Sequence, residues 1–280
     1  MRIDEAVTWR QGAALPKDRP RRLEDLCRQA RDRAGTAVVF VDGDRGWSWD
    51  DLLGQSAALA RAWRGRVRPG DRIAIVLPNG AAHLLVELAA WRLGAVAAPL
   101  AIGLTASQRQ ALIASLEPAL QVGTDGLDAA AVLALSASGG DAGEAWIGGA
   151  DDPCLILWTS GSGGRPRGVV LSQDNLCSQQ AAYARLWPEV GPGDRLAGYL
   201  PWHHSFGALA ERLWILSRGA CFHVIPGQGR DHQAFLDALR QVRPTLFCSV
   251  PKLHGVAVAA GLPPAGLRWA FTAGAPLAPN

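Results

Sequence analysis

Residues 157–168 read LWTSGSGGRPRG, and this stretch decides how the chain around it is to be folded. An apolar run, 155–158, leads into it as a strand, and Pro166-Arg167-Gly168-Val169-Val170-Leu171 leads out of it as another. Between the two, glycines permit positive φ and let backbone N–H groups approach an anion closely. Thr159, Ser160 and Ser162 offer hydroxyl donors, and Arg165 and Arg167 offer charge-assisted ones. This is the equipment of a polyphosphate cradle set between two strands. It is not a Walker A motif, because no Gly-Lys-Ser/Thr closes it and no helix follows. A bare GSGG would equally be an ordinary hairpin turn; the whole twelve-residue string points to phosphate.

Working outward, 36–41 (TAVVFV) is a β-branched run ended by Asp42-Gly43, and a new element starts at Gly46-Trp47-Ser48-Trp49, which predicts a hairpin. Ser48 followed by Asp51 has the form of a capping box, with Leu52, Leu53, Ala57, Leu59, Ala60 and Trp63 at helical spacing behind it. The block 69–79 (PGDRIAIVLPN) is a buried strand between turn residues, followed by a helix over 82–93 and an apolar run at 95–100. That is a βαβ unit, so a parallel sheet is expected. A helix is predicted at 107–116 and an irregular, Ala/Gly/Ser-rich connection at 123–149. Beyond the loop the pattern predicts helices at 176–186, 208–216 and 234–242, with extended runs at 194–200, 220–225, 244–250 and 267–272.

The composition is that of a soluble globular protein: 280 residues, 49% hydrophobic, 19% charged, net charge +3. The basic cluster Arg19, Arg21, Arg22, Arg28, Arg31 and Arg33 has acids among it and no interleaved aromatics, so it reads as a solvated helix face and not a nucleic-acid surface. Only Lys17 and Lys252 are lysines. The five cysteines are widely spaced, form no CxxC pair and sit mostly in apolar runs, as buried thiols of a reducing compartment do. No signal-peptide core stands at the N-terminus, and no apolar stretch reaches the roughly 20 residues a bilayer requires. A cytoplasmic protein without a membrane span is expected.

The string Thr159-Ser160-Gly161-Ser162-Gly163-Gly164-Arg165-Pro166-Arg167-Gly168 resembles the phosphate loop of the acyl-adenylate-forming enzymes, whose pattern is Thr-Ser-Gly-Ser/Thr-Thr-Gly-x-Pro-Lys-Gly. Gly163 stands where that family has threonine, and Arg167 where it has lysine. Leu200-Pro201-Trp202-His203-His204-Ser205-Phe206-Gly207 is similar to its Leu-Pro-x-x-His-x-x-Gly element, and Thr272-Ala273-Gly274-Ala275-Pro276 to the Gly-Ala-Pro element along adenine. On residues alone, the first is a polar turn whose adjacent histidines would point opposite ways on an extended segment, and the second a strand-ending turn. No cysteine or carboxylate stands at metal spacing nearby, so no protein metal site is expected.

The resemblance implies the fold of stacked α/β/α subdomains of the adenylate-forming enzyme N-terminal domain, truncated before the β-barrel and C-terminal lid domain. It covers 1–280 as a partial AMP-binding domain, with approximate subdomains 1–175 and 176–280. It implies a carboxylic acid:CoA ligase of the fatty- or aryl-acid kind, with ATP and Mg2+ as cofactors and CoA as co-substrate. Thr159, Ser160, Gly161, Ser162, Gly163, Gly164 and Arg167 would hold the phosphates, and Gly274, Ala275 and Pro276 would flank adenine. Trp202, His204, Phe206 and Gly207 would border the acid, with Arg167 and His204 as the catalytic pair. The family's magnesium-binding glutamate, ribose-binding aspartate and lid lysine come after the adenine element, beyond Asn280. The chain alone is therefore expected to be nearly inactive unless the remainder is supplied in trans, through a strand edge left open as a docking surface. A non-catalytic nucleotide-binding or regulatory protein, or a degenerate adenylation domain, is the alternative.

Overall fold

The computed structural model describes residues 14–123, 127–141, 146–159, 166–262 and 266–273. Helix α1 (Leu23–Ala34) is followed by the hairpin β1 (Val38–Asp42) and β2 (Arg45–Ser48), then α2 (Trp49–Trp63), β3 (Arg72–Ile75), α3 (Ala81–Arg92), β4 (Val96–Pro99), α4 (Ala106–Leu116) and β5 (Leu120–Val122). Next come α5 (Ala129–Ser136), β6 (Pro153–Thr159), β7 (Arg167–Ser172), α6 (Gln173–Leu186) and β8 (Arg195–Gly198). A π-helical segment, Phe206–Leu213, runs into α7 (Trp214–Ser217), and β9 (Cys221–Val224), α8 (His232–Val242), β10 (Leu246–Ser249), α9 (Pro251–Ala259) and β11 (Trp269–Thr272) complete the order.

The strands form two sheets of one design. The first runs β5-β3-β4-β6-β7, parallel except for β7, which returns antiparallel to β6. The second runs β11-β10-β8-β9-β1-β2, parallel except for β2. The parallel strands read as unbroken apolar runs, such as Ile73, Ala74 and Ile75, because helices cover both of their faces. The hairpin expected to open the first subdomain instead supplies the edge of the second sheet, since Phe40 and Val41 pair with Phe222 and His223. A cut near residue 175 therefore does not separate the sheets.

Helix α3 lies between them. All twelve of its residues are buried, and it packs on β3 and β4 of the first sheet and on β1 of the second. A helix apolar on every side belongs in a core; this one nevertheless carries His83, Glu87 and Arg92 there.

The capping box at Ser48 and Asp51 forms as expected, and two more stand at Thr105/Gln108 and Ser172/Asn175. The connection 123–149, expected to be irregular, contains α5, whose N-terminus is held by Asp128 accepting from the Ala131 N–H at 2.9 Å and whose Val132 is fully buried. The pattern also missed α9, which starts at Pro251 in the position where proline's fixed φ favours a helix start. The arginine cluster is only partly solvated: Arg19 grips Asp174 of α6 with two hydrogen bonds, at 2.7 and 3.2 Å. Beside it the Leu23 N–H donates to buried Gln173 at 3.0 Å. Four of the five cysteines are buried, and burial pushes their thiols up, Cys177 to about 12, so they are inert at neutral pH. Among the described residues no helix is long and apolar enough to cross a membrane.

Candidate active site

The loop that opened the sequence reading hangs from β6 and β7. These strands pair antiparallel from Leu155 opposite Leu171 to Thr159 opposite Arg167, so the predicted strand–loop–strand path is present. At its mouth the Thr159 hydroxyl donates to the Arg167 carbonyl at 3.4 Å, and both side chains are exposed. One rung below, Gly168 lets the ladder close over Ile156 and Trp158, since a Cβ there would lie 3.1 Å from Ile156 Cγ2. Ser160, Gly161, Ser162, Gly163, Gly164 and Arg165 lie outside the described residues. The mouth therefore presents a hydroxyl and a guanidinium side by side at the end of a rigid two-stranded stem.

The second cluster follows β8. Leu200 to Ser205 form a turn, not an extended segment, and the rings of His203 and His204 accordingly lie together, with centroids 4.4 Å apart, instead of pointing opposite ways. The His204 N–H donates to the Pro201 carbonyl at 3.2 Å and its own carbonyl accepts from the Ala208 N–H at 2.9 Å, which leaves the His204 imidazole exposed. His203 is largely covered, and burial, then His204 and His83, push its imidazole down to about 4. Gly207 is there for space: a Cβ would come 2.5 Å from the Pro201 carbonyl oxygen and 2.6 Å from that of Leu200. The backbone accommodates that close approach by opening the following helix to the wider π repeat.

Phe206 reaches the third predicted element, its ring 6.0 Å from that of Phe271 on β11. Ala273 continues from β11 with its N–H on the Ser249 carbonyl at 3.3 Å; Gly274, Ala275 and Pro276 lie outside the described residues. The structure thus brings the 200–207 turn beside the strand that leads to the Gly-Ala-Pro element. Trp202, expected to border the acid, is wholly buried between Phe40, Phe222 and His83. It supports the turn from beneath.

Sequence reading missed the side chains that hold this turn. Asn79, directly after the β3 block, accepts from the Trp202 N–H at 3.2 Å and donates to the Leu200 carbonyl at 2.8 Å. Arg212 lies over the Trp202 ring, 4.2 Å from its centroid, and donates to Glu87 of α3. His83 Nε2 sits 3.3 Å from the same carboxylate. Burial opposes charge on Glu87, but Arg212 and His83 outweigh it and hold the carboxyl below its usual range. Next to Arg212 on the π-helical segment, Glu211 is fully buried, and burial raises its pKa well above the usual carboxylate range. The available sequence signal was a run of charges, Glu211-Arg212, inside an otherwise apolar helix.

Comparison with known proteins agrees with this geometry. A family profile described as "AMP-binding enzyme" matches residues 26–280. An oxalate–CoA ligase of Arabidopsis thaliana is 30% identical over 260 residues, covering 84% of this chain and 50% of the relative. A feruloyl-CoA synthase of an Amycolatopsis species is 29% identical over 230 residues, covering 78% and 46%. The chain spans about half the length of these curated relatives. The crystal structure of apo MatB from Rhodopseudomonas palustris superposes with a TM-score of 0.75 at 25% identity, over 91% of this chain and 55% of that one. The ATP-bound form gives 0.68 at 26% identity, over 83% and 50%. With a profile match from Leu26 to the last residue, a loop of the family's pattern framed by β6 and β7, and a histidine turn beside β11, the chain belongs to the AMP-binding enzyme family of adenylate-forming ligases.

Proposed function

We propose that this chain carries the large-domain share of the adenylation site of an ATP-dependent carboxylic acid:CoA ligase. The observation that carries the reading is the β6–β7 mouth, where an exposed hydroxyl and an exposed guanidinium stand in register across a loop of the family's pattern. In the first half-reaction a carboxylate oxygen would bond to the α-phosphorus of ATP as the α–β bridging P–O bond breaks and pyrophosphate leaves. In the second, the thiol of CoA would attack the acyl carbon, the thioester would form and AMP would depart with the electron pair of the broken C–O bond. Catalysis of this kind is mostly positioning and charge stabilisation.

In this reading the hydroxyls of Thr159, Ser160 and Ser162 and the N–H groups of Gly161, Gly163 and Gly164 hold the β- and γ-phosphates, while Arg167 balances charge on the leaving pyrophosphate. His204 and Phe206 border the acid, Gly207 lets the turn close, and Gly274, Ala275 and Pro276 flank adenine. Among the described residues no group of three His, Cys, Asp or Glu side chains is placed to hold a metal. Magnesium would enter with the triphosphate and neutralise its charge. The named relatives act on oxalate and ferulate, which favours a compact or aryl acid as the substrate. Turnover would also draw on groups in the half of the relatives' length that this chain does not span.

Titration calorimetry of the purified chain with MgATP, followed by ferulate and oxalate in the presence of a non-hydrolysable ATP analogue, tests the reading. Saturable binding of MgATP is expected, with acid binding strengthened by the nucleotide analogue. A chain that is folded yet takes up no MgATP at millimolar concentration would remove the basis of the proposal.

A further inference from the structure

The phosphate loop belongs to the first sheet and the histidine turn to the second, so an in-line reaction between their ligands requires something to hold the two sheets in register. We propose that the buried Glu87–Arg212 pair is that positioning device: it fixes Trp202, and through it the His203–His204 turn, against α3. The proposal rests on the ligase reading for its consequence in catalysis, though not for the geometry.

The observations are independent of one another. Glu87, Arg212, His83 and Trp202 are each at most 2% exposed. Arg212 engages both partners at once, its Nη2 donating to Glu87 while its Cζ lies over the Trp202 ring, 4.2 Å from the centroid. His83 closes the third side, its ring edge-on to Trp202 at 5.1 Å and its Nε2 3.3 Å from Glu87. The backbone on either side of Pro201 is tied to the same end of α3 by Asn79. A buried ion pair is a poor way to gain stability, since apolar residues of similar volume usually serve as well or better. A planar cation has a different merit: it satisfies a directional hydrogen bond and an aromatic face in one fixed orientation. Methionine can fill the space without fixing either. His204 is two residues from the clamped ring and exposed on the other side of the turn, so a turn free to rock would lose the placement of that imidazole before it lost the fold.

The test separates placement from stability. The Glu87→Leu/Arg212→Met double variant removes both charges, leaves neither partner stranded, and is expected to unfold at or above the wild-type temperature. His203 is the internal reporter, its imidazole resonance assigned by its loss in His203→Gln. In the wild-type chain it should titrate near 4, as its burial beside His204 and His83 dictates. In the double variant it should move at least one pH unit towards 6.5 as the turn loosens. Calorimetry should show ferulate or oxalate binding weakened at least tenfold and MgATP binding within twofold of wild type. Arg212→Lys, which keeps the charge and loses the planar face, should fall between the two, and it carries the same readouts should the double variant fail to fold. A folded variant whose His203 titrates as in the wild type overturns the proposal. If wild-type protein binds neither acid nor MgATP, the ligase reading fails, and the His203 titration still decides whether the pair positions the turn.

Discussion

The β6–β7 hairpin and the histidine turn, the two halves of the proposed site, are built in opposite ways. The hairpin is local: β6 and β7 are neighbours in sequence, pair with each other along their length, and expose the side chains at their mouth. The turn is held from a distance. Its anchors, Asn79, His83 and Glu87, precede it by more than a hundred residues; His83 and Glu87 are buried and Asn79 is half-buried. A site half local and half remote should respond to mutation unequally, with chemistry lost at the hairpin while the fold stands, and the fold lost at the turn.

The largest effect is expected at the turn. Arg212→Met alone leaves Glu87 charged, buried and with only His83 beside it, and removing one partner of such a pair costs about 3–5 kcal/mol. Urea unfolding should show the free energy of unfolding falling by that amount, in contrast to the double variant described above. A loss under about 1 kcal/mol would mean that water reaches Glu87 and that the two halves differ less than their burial implies.

Arg167→Ala probes the other half. The side chain is exposed, so stability should remain within about 0.5 kcal/mol of wild type. A charge-assisted hydrogen bond to phosphate is worth about 1.5–3 kcal/mol, so MgATP affinity should fall roughly 10- to 100-fold by calorimetry. Equal binding by the variant would place the phosphates elsewhere and end the comparison.

The same contrast explains what could be read from sequence. The β6–β7 hairpin, the βαβ unit and the Ser48 capping box were legible because each is written in consecutive residues. The assignment of β1 and β2 to the second sheet was not, since nothing in 36–48 says which of two sheets a β-branched hairpin will edge; the partner, Phe222, is 182 residues away from Phe40. The role of Gln173 is not legible either, because its partner is the backbone N–H of Leu23, and a backbone N–H has no sequence signature. Glu87 was hidden in an apolar helix for the same reason: its meaning is carried by Arg212. The histidine turn was recognised by its pattern, while its true conformation depended on Gly207 meeting the Leu200 and Pro201 carbonyls.

Acid should disturb the turn before the hairpin. His203 in the folded chain has its pKa lowered from 6.5 to about 4, by burial first and then by His204 and His83. The unfolded chain therefore binds the proton more readily than the folded one. Stability from this group is complete above pH 6.5 and is lost as pH falls towards 4. At about 1.4 kcal/mol per unit, reduced for partial solvent access, the loss is about 2 kcal/mol. His203→Gln should flatten that part of the stability–pH curve, measured by thermal melts between pH 7 and 4.

The smallest effect asks how independent the hairpin is. Ser172 ends β7 and caps α6, accepting from the Asn175 N–H at 3.2 Å while its own N–H donates to Asn175 Oδ1 at 3.0 Å. Ser172→Ala removes one of these bonds and should cost about 1 kcal/mol, a fall in Tm of about 2–4 °C for a chain of this size. The loop mouth is five residues up the strand, and the ladder from Leu171 to Arg167 stands between it and the cap. If that ladder makes the stem rigid, MgATP affinity in Ser172→Ala should equal that of wild type. Should it fall as far as in Arg167→Ala, fraying at the foot of β7 reaches the phosphates, and the hairpin depends on α6 much as the histidine turn depends on α3.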